Sequence, residues 1–146
     1  GLEFKVPEGY RIEKQSLMSG YLSLAFRSGP SSLVVQRWGL PETLLEGDSL
    51  EKWYRNDVVP DIRGYRLVFA EVELFGHDGL KVVGRRAGVK QALRAAARSL
   101  TLHAHPDHIT GYAWHCCDSN RLFSVRATHT GDEEIAESVR DSIRCH

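Results

Sequence analysis

Residues 103–108, His-Ala-His-Pro-Asp-His, gather more metal-ligating chemistry than any other stretch of the chain. A strand end there would splay His103 and His105 towards one point. Asp107 and His108 add an anionic oxygen and a third imidazole. Zinc takes such donors, together with thiolate sulfur. Cys116, Cys117, Cys145 and His146 are further donors for a mononuclear site in which His103, His105 or His108 takes part. Spacing argues the other way. No Cys-x-x-Cys pair is present, and consecutive strand residues face opposite sides, so Cys116 and Cys117 cannot both reach one ion without a kink. The same alternation parts His115 from Cys116, which denies the thiol a neighbouring base. Cys116 reads instead as a small buried hydrophobe, with Tyr112 and Trp114 filling the core beside it.

The elements around this segment follow from hydrophobic period and punctuation. "FKVPEGYRIEKQ" predicts a short strand, a Pro-Glu-Gly turn and a second strand. "GYLSLAFRSG" alternates, with Leu22, Leu24 and Phe26 on one face, and "SSLVVQRWG" returns from a turn at 28–30 as its hairpin partner. In "DSLEKWYRNDVVP", Asp48 and Glu51 predict a capping box, Leu50, Trp53, Tyr54 and Val58 recur at helical spacing, and Pro60 ends the run. "YRLVFAEVELF" predicts the strongest strand, with Val68, Ala70, Val72 and Leu74 as its apolar face. "GHDG" reads as the following tight turn with His77 solvated at its tip, and "LKVVGRR" as the returning strand. "GVKQALRAAARSL", residues 88–100, predicts a second helix. "ITGYAWHC" and "RLFSVRATH" predict a hairpin closed by Asp118-Ser119-Asn120. Thr130 and Glu133 predict a capping box for a last helix whose buried stripe is Ile135, Val139 and Ile143, with Arg140 and Arg144 at its end.

Hairpin-linked strands pair antiparallel, and helices between hairpins must cover sheet faces. The expected fold is a single α+β domain over residues 1–146: an antiparallel sheet covered by about three helices, an α/β/α sandwich. The layout resembles the Mog1/PsbP-like family in the opening "VPEGYRI", in the strand-turn-strand "LFGHDGLKVV" and in the closing "EEIAESVRDSIR". That resemblance implies an accessory protein that binds a partner, and it brings no catalytic residues with it. The segment "LHAHPDHITG" is similar to the signature of metallo-β-lactamase-fold hydrolases. This second resemblance implies His103 and His105 on a first zinc and Asp107 and His108 on a second. Only 38 residues follow His108, and the predicted hairpin and terminal helix occupy them, which leaves no place for the remaining ligands of such a centre.

With 19 basic and 19 acidic residues the formal net charge is +0, so bulk electrostatics supply no attraction to nucleic acid. Arg85, Arg86, Lys90, Arg94 and Arg98 form the one basic set that could make such a contact. Three cysteines make no disulfide framework, and no apolar run approaches the ~20 residues of a spanning helix. These features predict a cytoplasmic protein, with a removed signal segment left open by the initial Gly1. The functional expectation is a non-enzymatic binding or accessory module that uses a sheet face or loops to take a protein partner or a small ligand, without cofactor. The alternative is a zinc-dependent hydrolase, or a zinc-stabilised protein, centred on His103, His105, Asp107 and His108.

Overall fold

The computed structural model describes residues 2–87, 106–132 and 134–144. Within them lie β1 (Arg11–Met18), β2 (Tyr21–Ser28), β3 (Ser31–Trp38), β4 (Tyr65–Leu74), β5 (His77–Arg86), β6 (His108–Cys116) and β7 (Arg121–His129). These strands form one antiparallel sheet in the order β1-β2-β3-β7-β6-β5-β4. The helices are α1 (Pro41–Leu45), α2 (Leu50–Trp53) and α3 (Glu134–Ser142). The chain is thus α+β with an antiparallel sheet, as expected. The helix predicted over 88–100 lies outside the described residues. None of the described helices is long and apolar enough to cross a membrane.

Period-2 alternation divides the apolar residues of the central strands between the two faces of the sheet. Leu33, Val35, Tyr112, Trp114, Phe123 and Val125 pack with Ala136, Val139 and Ile143 in and beside α3. On the other face, Leu80, Val82, Ile109, Ala113 and Leu122 pack with Trp53, Tyr54 and Val58 from α2 and the turn that extends it. That extension is a π turn, Tyr54–Val58, followed by a 3-10 turn, Val59–Asp61. A chain of rings crosses beneath it from Tyr21 through Trp38, Trp53 and Tyr54 to Phe69, with centroids 4.9–6.2 Å apart. Three of the four pairs meet edge to face, a geometry that contributes ~0.5–1.5 kcal/mol per pair beyond area burial.

Several local expectations are corrected. Residues 2–5 form no hairpin strand; Phe4 packs edge-on against Phe26, and Glu3 bridges Arg144 at the end of α3. The cap of α2 is Ser49, whose hydroxyl accepts from the Lys52 amide, while Asp48 is drawn off to the Lys52 ammonium and Glu51 to Arg55. The β4–β5 turn is Phe75-Gly76, both at positive φ, so His77 leaves the tip and pairs with Leu74 in the ladder. Val68, expected to be buried, is 65% exposed on an edge strand. At α3, Glu133 lies outside the described residues, and the Asp132 carboxylate accepts from the Glu134 amide. Val139 and Ile143 are buried, as the helical stripe predicted, whereas Ile135 is only half-buried and Ala136 beside it is buried.

Candidate functional site

The histidine-rich segment is only partly described: His103 and His105 lie outside the described residues. Asp107 and His108 are in contact, with Asp107 Oδ1 3.5 Å from His108 Nδ1. His108 opens β6 and stacks on the His129 ring at 5.6 Å. His129 is held by its own strand partners. Its Nδ1 accepts from the Gly131 amide at 3.1 Å, so Nε2 carries the proton and donates to Thr110 Oγ1 at 2.9 Å. His115 points to the opposite face of β6 and meets Asn120 Oδ1 at 3.3 Å. Cys116, Tyr112 and Trp114 are core residues, as the alternation of the strand requires.

A different residue stands out once the sheet is assembled. Alternation along β7 sends Phe123, Val125 and Ala127 to one side and Leu122, Ser124 and Arg126 to the other. Arg126 therefore points inward from β7, the central strand of the sheet, and is 9% exposed. Its Nη1 donates to Gln36 Oε1 at 2.5 Å, and Gln36 Nε2 in turn donates to Tyr21 Oη at 2.8 Å. This polar row crosses β7, β3 and β2. The nearest carboxylate, Asp61 at the end of the 3-10 turn, is 3.9 Å away, and its side chain is 61% exposed. Burial pushes the Arg126 guanidinium pKa down, and the nearby Tyr54, Asp61 and Tyr21 only partly restore it. A guanidinium remains charged throughout the accessible pH range, so its burial carries a desolvation cost that no close carboxylate among the described residues offsets.

Arg126 and Gln36 form one end of a cleft of about 320 Å³. Ala25 and Val34 give it an apolar wall, Tyr21, Ser16 and Ser23 supply hydroxyls, and Lys14 and Asp61 stand at its sides. A β-bulge places the lysine. The register slips between Ile12, which pairs with Phe26, and Lys14, which pairs with Ala25. Without that extra residue Lys14 would share the face of Ile12; with it, the ammonium turns to the cleft.

Behind the guanidinium two buried hydroxyls, Tyr54 Oη and Ser124 Oγ, lie beside each other without a well-formed hydrogen bond. Gly111, the cross-strand partner of Arg126, is what lets Tyr54 come so close. A Cβ at Gly111 would lie 3.1 Å from Tyr54 Oη and 3.4 Å from Arg126 Cβ. A second concavity of about 480 Å³ takes in His108 with Arg66 and Arg85, but it contains no buried charge. Among the described residues, charge buried at a cleft is the feature that separates the Arg126 site from the other concavities.

No protein-family model matches the chain, and comparison with the curated proteins finds no match. The assignment therefore rests on the chemistry of the cleft. Arg126 went unnoticed in the sequence because an arginine in an alternating strand reads as solvent-facing. Its one signal was position: Ser124 and Arg126 occupy the same face as Leu122, in a strand between two long apolar partners.

Proposed function

We propose that the chain is a non-enzymatic binding module that takes the anionic end of a small ligand in the Arg126 cleft, built on an α/β/α layered frame. The supporting observation is the mismatch of charge at Arg126. The guanidinium is buried, yet among the described residues the only carboxylate beside it is distant and mostly in solvent. A carboxylate or phosphate entering the cleft would supply the missing counter-charge in bidentate geometry. Lys14 would add a second cation, Ser16, Ser23 and Tyr21 would orient the ligand's polar groups, and Ala25 with Val34 would cover an aliphatic portion. A volume of about 320 Å³ lies at the small end of the range for ligand pockets, ~300–1,000 Å³.

The test is thermal unfolding in the presence of short mono- and dicarboxylates and of inorganic phosphate. A ligand held at 100 times its Kd adds about 2.7 kcal/mol to stability, which for a chain of this size raises Tm by about 5–10 °C. The expected result is such a rise for at least one of these anions, absent in Arg126→Met. If none of them shifts the wild-type protein, the cleft is not an anion site.

A further inference from the structure

We infer that His77, Cys116 and Asp118 form a binding site for one zinc-class divalent cation, independent of the Arg126 cleft and at the opposite end of β6 from His108. The register of the β5–β6 ladder brings the first two together. Gly79 pairs with Trp114, and continuing that ladder by two residues sets His77 opposite Cys116 on the same face. Asp118 follows two residues later in the turn that leads to β7, at the same end of the sheet as the β4–β5 turn. The imidazole nitrogen, the thiol sulfur and a carboxylate oxygen all lie within 4.8 Å of one another. His77 Nε2 is 3.8 Å from Asp118 Oδ2.

These spacings are close to what a tetrahedral ion demands. Bonds of ~2.0–2.2 Å to nitrogen and oxygen and ~2.3 Å to sulfur put neighbouring ligand atoms roughly 3.3–3.7 Å apart. Closing the site requires donor atoms up to 4.8 Å apart to approach by roughly 1–1.5 Å, and Asp118 sits on the β6–β7 turn. The donor set, one thiolate, one imidazole and one carboxylate, selects zinc over calcium or magnesium, which prefer oxygen alone. Burial is graded to suit a site entered from one side. Cys116 is wholly buried, the His77 side chain is 14% exposed and the Asp118 side chain 68%. Three protein ligands leave the fourth position to water on the Asp118 side. The ion would staple the β4–β5 hairpin to the β6–β7 turn.

Cobalt(II) titration of the reduced full chain, read by optical absorption, tests this site. One equivalent of cobalt producing a thiolate-to-metal charge-transfer band, displaced by zinc, is the expected result. The band should be lost in Cys116→Ser and retained in Cys117→Ser. Because Cys116 is buried, Asp118→Asn and His77→Gln provide variants that need not disturb the core, and each should weaken cobalt binding at least tenfold. A wild-type protein without the band, a band that survives Cys116→Ser, or affinity unchanged in both Asp118→Asn and His77→Gln would overturn the assignment.

Discussion

Arg126 couples stability to binding in opposite senses. If its role were to hold the fold together, removing it would cost about 3–5 kcal/mol, the usual result of breaking a buried charged pair. The weak Asp61 contact at 3.9 Å predicts otherwise: Arg126→Met should unfold in urea within about 1 kcal/mol of wild type, or be more stable, because a desolvated charge is replaced by an apolar chain of similar volume. Tyr54 behaves similarly. Its buried hydroxyl lies beside Ser124 without a well-formed hydrogen bond, so Tyr54→Phe should leave stability within about 1 kcal/mol of wild type. The pH dependence carries the same signature. Burial raises the Tyr54 pKa above its ordinary value of 10.0. Its share of stability is intact below pH ~10, where folded and unfolded chains both hold the proton. It is lost as pH rises from there towards the folded-state pKa, because the unfolded chain ionises first. Tyr10 and Tyr65 are raised by burial as well, but they remain in the variant. The difference between wild type and Tyr54→Phe in alkaline urea titrations therefore isolates Tyr54, and wild type should lose stability the more steeply. Gly111→Ala should cost about 1–3 kcal/mol through overpacking. Much of that cost should vanish in the Tyr54→Phe background, where the nearest obstructing atom is gone; equal costs in the two backgrounds would place the clash at the Val125 carbonyl, 3.3 Å from the same Cβ.

At the scale of elements, strands were the most legible part of the sequence. The alternation in β2, β3, β6 and β7 survives folding because each has one face against an apolar cluster, and a one-residue slip would invert it. Ends and turns were less legible, since their energetics are settled by backbone conformation rather than by period. Phe75-Gly76 does not look like a turn that needs positive φ at both positions, yet it adopts one, and the Phe75 ring resting 5.5 Å from Trp114 explains why a bulky residue is kept there. That shift of turn moved His77 from a solvated tip to a strand position beside Asp118. The α1 helix escaped notice because "PETLL" is too short for a helical period and has no side-chain cap. Leu40 occupies its cap position at φ 55° while 67% exposed. A left-handed conformation costs an ordinary residue ~1–2 kcal/mol, and leucine contributes no cap. Leu40→Asn should accordingly raise stability by about 1 kcal/mol in thermal or urea unfolding; a loss would mean that the leucine side chain is held by contacts it does not show. The anion cleft was illegible for a related reason. It combines Lys14, Gln36, Asp61 and Arg126 from four separate segments, and its lysine reaches the cleft only through a bulge that no local pattern announces.

For the whole molecule, the order of the strands decides where chemistry can occur. Placing β7 between β3 and β6 joins two meanders and carries Arg126 into the middle of the sheet. The turn after α2 delivers Asp61 and Tyr54 over the same region, while β1 contributes Lys14 from the edge. A cleft assembled this way has central strands as its floor, and Gln36 holds the guanidinium there. The most direct measurement is therefore at the guanidinium itself: the Nε–Hε resonance of Arg126, assigned by its loss in Arg126→Met and followed by NMR as a short carboxylate or phosphate is added. A saturable shift of that resonance, with the exposed Arg63 and Arg66 signals unchanged, is the predicted outcome. A resonance that stays fixed, or that moves only in proportion with every other arginine, would contradict anion recognition at this site.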